Sequence, residues 1–400
     1  MPQNAKNLSR NVWHFPLIVC LSLLLIACNI QPPVSALDRI FRSVSLDFMD
    51  QYSLPKQTVE DTLVGGLSGI VYDRQGDRYY AISDDRSYLA PARFYTLKLN
   101  LQETDDITKI QKVTVESVTL LRNSAGELYE QGKIDPEGIA LSPRQTLFIS
   151  SEGNIAQGVK PFVGEFDINS GKLISQLPIP QRYFPDTSDK SDKTDKGVRN
   201  NLAFESLAIA DNTLSKDDPF RLFLATESSL AQDNPPQNIS EPAAIRLMHY
   251  VVNPIGPPVL ITENLYWLEA ASEDTIANGL SELMASSREG ELFSLERTFG
   301  LSGFSAKIFQ VVNNNATDTS GMLSFPENLN NIRPLKKKLL LDLGSLGIDL
   351  ENLEGMTLGP RTQDGSQTMI LISDDNFREE QATQFLLFRI QETNTEDSNK

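Results

Sequence analysis

The sequence predicts an all-β chain folded as a β-propeller of four-stranded antiparallel blades. Three observations predict it. A short motif recurs five times, and its apolar anchors Ile70, Ile139, Leu207, Leu283 and Met356 lie 69, 68, 76 and 73 residues apart. A period of this kind marks an array or propeller rather than unrelated domains. Each complete interval holds four β-branched or aromatic runs of strand length, bounded by Gly, Pro, Asn and Asp. The last unit is one strand short, and the N-terminal part of the chain carries a spare one.

The elements follow in chain order. Residues 1–27 read as a signal peptide: Lys6 and Arg10 precede the 13-residue apolar run "FPLIVCLSLLLIA". That run is shorter than the ~20 residues a membrane span needs and suits a signal-peptide core. It ends in "LIAC", which resembles a bacterial lipobox with Cys28 as the lipidated first mature residue; an ordinary signal peptide cut nearby is the alternative. Residues 28–40 read as a linker. "FRSVSLDFMDQYSL" (41–54) is the spare strand, and 41–392 is the propeller domain.

Five motif segments supply the first two strands of each blade. They are "GLSGIVYDRQGDRYYAISDD" (66–85), "DPEGIALSPRQTLFISSEG" (135–153), "AFESLAIADNTLSKDDPFRLFLATESS" (203–229), "GLSELMASSREGELFSLERT" (279–298) and "NLEGMTLGPRTQDGSQTMILISDD" (352–375). The outer strands are "RFYTLKLN" and "KVTVESVTLL", "PFVGEFDI" and "KLISQLPIP", "IRLMHYVV" and "PVLITENLYWL", "AKIFQVVN" and "KKKLLLDL". The fifth unit has only "TQFLLFRI" before a polar tail, 393–400. If 41–54 pairs with it, the ring closes and open sheet edges disappear. The count is five blades, or six if an insertion hides a degenerate one; two separate β domains are the competing arrangement. "DTSDKSDKTDKG" (186–197) and "DNPPQNISEPAA" (233–244) read as surface loops.

The acids mark the ends of these hairpins. In an antiparallel pair the start of one strand lies beside the end of the next. Before the inner strand stand Ser68, Glu137, Glu205, Ser281 and Glu354, with Glu282 one step on. After the second strand stand Asp84, Glu152, Glu227, Glu296 and Asp374, extended by Asp85 and Asp375. Inner strands line the channel of a propeller, so the expectation is an acidic cluster at one mouth. Unit charges 4 Å apart repel by about 4 kcal/mol at an effective dielectric near 20. The cluster therefore has to bind cations, pair with arginines or hold protons. Arg86, Arg93, Arg199, Arg297 and Arg378 flank the acids, and Asn200, Asn201 and Asn376 add amide oxygens. Oxygen-only clusters suit Ca²⁺. For any acid taken singly, capping a turn is the competing role.

Composition narrows the chemistry. A net charge of −17, or 34 basic against 53 acidic residues after signal removal, argues against a nucleic-acid partner. Without Cys20 and His14, both in the signal segment, the chain keeps Cys28 and His249 alone of their types. His249 sits in an apolar strand, so a Ser-His-Asp triad or a histidine zinc site finds no support. No GxGxxG after a strand and no GxxxxGK[ST] occurs, and "GLSGI" lacks the full nucleophile elbow.

The ordered motifs "GGLSGIVYD…YYAISDD", "DPEGIAL…LFISSEG", "GVRNNLAFESLAIA…LFLATESSL", "NGLSELMA…LFSLER" and "NLEGMTLGP…LISDDNF…TQFLLFRI" resemble the phytase-like family, also labelled esterase-like activity of phytase. The resemblance spans roughly residues 55 to 392. It implies a propeller domain, often exported or lipid-anchored in bacteria, and hydrolysis of phosphoesters. By analogy with calcium-dependent propeller phytases, Asp84, Asp85, Glu282, Glu296, Glu354, Asp374 and Asp375 are candidate Ca²⁺ ligands. Glu137 with Glu152, or Glu205 with Glu227, would supply the base, with Arg199 beside them. Arg86, Arg93, Arg297 and Asn201 would hold substrate oxygens. The chain departs from such enzymes in having few, scattered basic residues near its motifs.

The leading expectation is a monomeric, lipid-anchored or secreted hydrolase of a small-molecule phosphate ester or related ester, dependent on Ca²⁺ and touching the membrane through its lipid alone. Two alternatives stand beside it: a non-catalytic envelope propeller that binds a ligand or protein, and a lactonase-like propeller in which Ca²⁺ polarises a carbonyl.

Overall fold

In the computed structural model, β1 (Val44–Leu54) is followed by a small ladder of β2 (Thr58–Val59) and β3 (Thr62–Leu63). Blade one comprises β4 (Leu67–Asp73), β5 (Arg78–Ser83), β6 (Arg93–Thr104) and β7 (Ile107–Leu120). Blade two comprises β8 (Pro136–Leu141), β9 (Thr146–Ser151), β10 (Phe162–Asp167) and β11 (Leu173–Gln176). Blade three comprises β12 (Phe204–Ala210), β13 (Phe220–Thr226), β14 (Ala243–Val252) and β15 (Val259–Leu268). Blade four comprises β16 (Thr275–Ala285), β17 (Glu291–Gly300), β18 (Gly303–Val312) and β19 (Lys336–Asp342). Blade five comprises β20 (Asn352–Arg361), β21 (Gln367–Asp374), β22 (Thr383–Glu392) and, as its outer strand, β1. Three 3₁₀ turns are the helical elements among the described residues.

The structure describes residues 40–104, 107–185, 195–210, 213 and 215–392. The chain divides into two units, Met1–Arg42 and Ser43–Lys400, and the account below concerns the second. The signal segment, Cys28, nearly all of the linker, the polar tail and most of the 186–197 loop lie outside the described residues.

The ring closes at the centre and at the seam. Inner strand β4 packs on β8, β8 on β12, β12 on β16, β16 on β20 and β20 on β4. At the seam β1 runs antiparallel to β22, from Val44 opposite Glu392 to Leu54 opposite Thr383. The expected five blades, with the N-terminal strand completing the last, are therefore the observed architecture, and the described residues hold no sixth blade.

Each blade interface has its own apolar core. Strand side chains alternate between faces, and a blade in a ring is covered on both, so its strands need apolar residues at every position. Strand β21 demonstrates this: Ile370 and Ile372 enter the core shared with blade one, and Met369 and Leu371 enter the core shared with blade four. In β22, Phe385 and Leu387 go one way while Leu386 and Phe388 go the other. The remaining interfaces hold Ile82 with Ile149, Phe148 with Leu224, and Ile245 with Leu283. These cores fix the radial position of each inner strand, and with it the ends that carry the acids.

The 233–244 loop is anchored by charge. Asp233 pairs with buried Arg246 (2.5 Å), which also contacts Glu263 and lies over the Phe325 ring (4.1 Å). Arg182 (2.8 Å) and the Tyr183 hydroxyl (2.6 Å) donate to the same Glu263.

Candidate functional site

One backbone feature recurs in all five inner strands. The ladder with the second strand breaks between Leu67 and Gly69, Pro136 and Ile139, Phe204 and Ser206, Leu280 and Glu282, and Leu353 and Gly355. The skipped residues include Ser68, Glu137, Glu205, Ser281 and Glu354. A bulge re-aims the side chain it frees, which is how Glu137, Glu205 and Glu354 leave the blade faces for the channel mouth; Ser68 donates instead to the Glu137 carbonyl (2.9 Å) and Ser281 to the Leu295 carbonyl of its own blade (3.2 Å). The residue after the bulge must tolerate a neighbouring strand at very short range. A Cβ on Gly138 would lie 2.5 Å from the Glu205 carbonyl, and one on Gly69 would lie 2.8 Å from that of Glu137.

Register then assigns the second row of groups. Ser83, Ser151, Thr226, Glu296 and Ser373 all pair opposite the residue that precedes the bulge. The next residue in each blade is Asp84, Glu152, Glu227, Arg297 or Asp374. Blade four thus contributes an arginine where the others contribute an acid. Glu296 sits one step short of the mouth row and, because strand side chains have a period of two, faces the blade. There it accepts from the Tyr266 hydroxyl (2.5 Å), Lys337 (2.5 Å) and the Glu269 amide (3.0 Å).

The mouth gathers Asp84, Glu137, Glu152, Glu205, Glu227, Glu354 and Asp374, and also Asp135, which sequence reasoning did not single out. Asp135 starts the same "DPEG" motif two residues ahead of Glu137, and that i, i+2 spacing was the available signal. One ligand oxygen each from Asp135, Glu137 and Glu152 lies within 4.8 Å of the others, and all three residues are buried. This is the tightest acidic grouping among the described residues.

Three arginines stand against the eight acids. Arg297 bridges Glu227 (3.1 Å) and Glu354 (3.2 Å) and donates to Asn352 (2.7 Å). Arg86 donates to Asp135 (2.6 Å) and Asn201 (2.5 Å). Arg199 donates to the Ser228 hydroxyl (2.7 Å) and the Ser229 carbonyl (3.2 Å).

Desolvation and mutual repulsion hold the carboxyls toward the protonated form. Burial, then the charges of Glu354 and Asp135, lifts Asp84 to about 8. Burial lifts Asp135 to about 6 against the pull of Arg86, and Glu227 to about 7 against the pull of Arg297. Burial followed by neighbouring carboxylates also pushes Glu137, Glu205 and Asp374 well up. Glu152 moves the same way, although the Ala203 amide and Arg86 oppose the shift. For Arg297, burial works against the charge, but Glu354, Glu227 and Glu205 outweigh it and raise its pKa.

The other candidates lie elsewhere. Asp85 is turned outward into a buried pair with Arg93 (2.7 Å) and accepts the amides of Tyr88, Leu89 and Ala90. Arg93, wholly buried, also donates to the Tyr95 hydroxyl (2.6 Å). Asp375 accepts the Gly66 amide (2.8 Å) and pairs with Lys56 (2.5 Å), stitching blade five to the segment ahead of blade one. Glu282 lies deeper in the channel and accepts the amides of Leu207 (3.1 Å) and Leu283 (2.8 Å), with the Met356 amide also bonded to it. It occupies three N–H groups on the unpaired inner edges of blades three, four and five. His249 stacks on Phe223 at 4.6 Å, far from this chemistry in role and held neutral, its pKa lowered to about 4 by burial and Arg221.

An ion would meet a suitable donor set in the Asp135–Glu137–Glu152 group. All its ligand atoms are carboxylate oxygens, the chemistry of a hard cation such as Ca²⁺. One buried oxygen, Glu152 Oε2, has no hydrogen-bond partner among the described residues. A buried acceptor left unpaired costs about 1–3 kcal/mol, and a cation or a proton removes that cost.

No curated protein matches the chain. Among solved structures it is similar to the catalytic domain of a Coprinopsis cinerea GH62 alpha-L-arabinofuranosidase (9% identity, TM-score 0.38, 86% of this chain and 97% of that one). A Bombyx mori GH32 beta-fructofuranosidase aligns at 9% identity and a TM-score of 0.37, over 95% of this chain and 68% of that one. The Dos1 propeller aligns at 6% identity and a TM-score of 0.30, over 81% and 68%. The profile of the phytase-like family, described as esterase-like activity of phytase, matches residues 62–377, from the β2–β3 ladder to the "SDDNF" turn of blade five. The chain belongs to the phytase-like family.

Proposed function

We propose that this protein is a calcium-dependent hydrolase of phosphate esters or related esters, with its site at the acidic mouth of the channel. The observation that carries the reading is the Asp135–Glu137–Glu152 group with its unpartnered buried oxygen on Glu152. These three residues would hold the ion, which when bound supplies electrophilic polarisation of a phosphoryl or carbonyl oxygen. Arg86, Arg199 and the exposed Asn201 sit at the rim of the mouth, where they would orient the ester oxygens. Glu227, with its carboxyl near neutrality, is suited to take a proton from an attacking water at pH 7. Arg297 keeps Glu227 and Glu354 in place and moderates their repulsion. We further propose that the protein is exported, works as a monomer, and is held to the cell envelope by a lipid on Cys28.

The test is a substrate screen on the purified protein, with panels of phosphate esters, carboxyl esters and lactones in Ca²⁺ or in chelator. Turnover in one panel that is lost in chelator and in Glu152→Gln supports the reading. Silence in all three panels with Ca²⁺ present would sink it and leave a binding propeller in its place.

A further inference from the structure

Arg86 stands between two roles at the acidic mouth. Its Nε donates to Asp135 (2.6 Å) and its Nη2 to the exposed Asn201 (2.5 Å). One guanidinium thus spans from the loop after β5 to the segment that leads into β12. Asp135 also belongs to the Asp135–Glu137–Glu152 group, in which Glu152 Oε2 is buried without a partner. Arg86–Asp135 is the ion pair of that group among the described residues. Burial works against the arginine's charge, yet Asp135, Glu137 and Glu152 outweigh it and raise its pKa. The guanidinium is therefore the counter-ion of all three carboxyls.

The other two arginines of the mouth are held differently. Arg297 bridges Glu227 and Glu354 with a side chain only 15% exposed, and Arg199 bonds neutral oxygens of Ser228 and Ser229. Arg86 alone of the three combines contact with the group and a side chain 35% exposed. Its backbone is pinned. The carbonyl accepts the Gly132 amide (2.8 Å), and Asp85 just ahead takes the amides of Tyr88, Leu89 and Ala90 just behind. The side chain can leave Asp135 by rotamer changes while the loop stays in place. An ion that takes six to eight oxygens needs the Asp135 carboxylate, and a dication beside the guanidinium repels it.

We infer that Arg86 is a tethered competitor of the metal: it leaves Asp135 when an ion enters the group, and the freed guanidinium then takes the anionic oxygens of the substrate. The inference rests on the calcium reading above and adds its regulation, since metal and anion favour each other's binding through one side chain. A site competent only while Arg86 is away loses affinity by that fraction; a charge-assisted pair closed about nine-tenths of the time costs about tenfold.

Isothermal titration calorimetry of Ca²⁺ and of methylphosphonate on the purified protein tests it. Arg86→Gln should bind Ca²⁺ about tenfold more tightly than the parent, the opposite of what losing a structural support does. Arg199→Gln removes the same charge from the same rim without touching the group, and should shift Ca²⁺ affinity by less than about threefold. Methylphosphonate should bind Arg86→Gln about tenfold more weakly than the parent in saturating Ca²⁺. In chelator, where Asp135 holds the arginine, the two should agree within about threefold. Asn201→Gly suits the left-handed backbone there (φ 56°) and removes the second hold on the guanidinium. It should tighten Ca²⁺ by about threefold, and it carries the test if Arg86→Gln does not fold. The inference falls, and the calcium reading stands, if Arg86→Gln (or Asn201→Gly in its stead) binds Ca²⁺ no more tightly than the parent. It falls equally if Arg199→Gln matches the gain, or if the anion defect is the same with and without Ca²⁺. Absence of Ca²⁺ binding in parent and variants overturns both. Competition for Ca²⁺ without turnover in the ester panels overturns the hydrolase reading alone.

Discussion

In chelator, this fold should become more stable as the pH falls from 8 to 5. Glu227 gives the scale. Burial, opposed by Arg297 and reinforced by Glu354, moves its carboxyl from 4.5 to about 7 in the folded state. The unfolded chain ionises near the ordinary value, so between those limits the folded protein binds a proton that the unfolded chain releases. Stability therefore falls with rising pH across this window. The contribution is fully present below 4.5 and is lost as pH rises through about 7. At 1.36 kcal/mol per pH unit the interval is worth about 3 kcal/mol, a large part of a typical net stability of roughly 5–15 kcal/mol. Asp135, raised from 3.8 to about 6, acts with the same sign. The assay is urea unfolding at pH 5, 6, 7 and 8 in chelator, repeated with Glu227→Gln, the neutral near-isostere. The variant should exceed the parent by about 3 kcal/mol at pH 8 and match it near pH 4.5. Saturating Ca²⁺ should stabilise the parent most at pH 8, where the carboxylates are bare. A parent more stable at pH 8 than at pH 5 in chelator, or a variant weaker than the parent at pH 8, would refute the reasoning.

Three further outcomes follow from the packing. Arg246→Met strands Asp233 and Glu263 as buried charges and should cost about 3–5 kcal/mol by urea unfolding. Gly138→Ala sets a Cβ 2.5 Å from the Glu205 carbonyl; it should cost about 1–3 kcal/mol and disturb the bulge that carries Glu137, read as weaker Ca²⁺ binding in a titration. Deleting residues 41–54 exposes the edge of β22 along its whole pairing with β1, so the truncated protein should aggregate in size-exclusion chromatography, as open edges do.

Much of the candidate site was legible in the sequence, because antiparallel pairing puts the two ends of a hairpin together. Glu137, Glu152, Glu205, Glu227, Glu354, Asp84 and Asp374 meet at one mouth for that reason. What was not legible was the fine register. Aligning "LFSLERT" with "LFLATESS" by eye sets Glu296 beside Glu227, whereas pairing sets Arg297 there, since Leu280 lies opposite Glu296 and Phe204 opposite Thr226. A shift of one residue moved an acid off the mouth and placed the central counter-ion on it. The doubled acids in "SDD" split in the same way, with the second of each pair facing Arg93 or Lys56.

The amino-acid sequence by itself determined the all-β class, the five-fold repeat and the closing role of residues 41–54, because strand periodicity and motif spacing are local and countable. Tertiary structure alone decided which acids share a mouth with Asp135 and Arg297. The physical reason is that this outcome depends on bulges and on packing between blades about seventy residues apart, and a one-residue difference there turns a side chain from one face to the other.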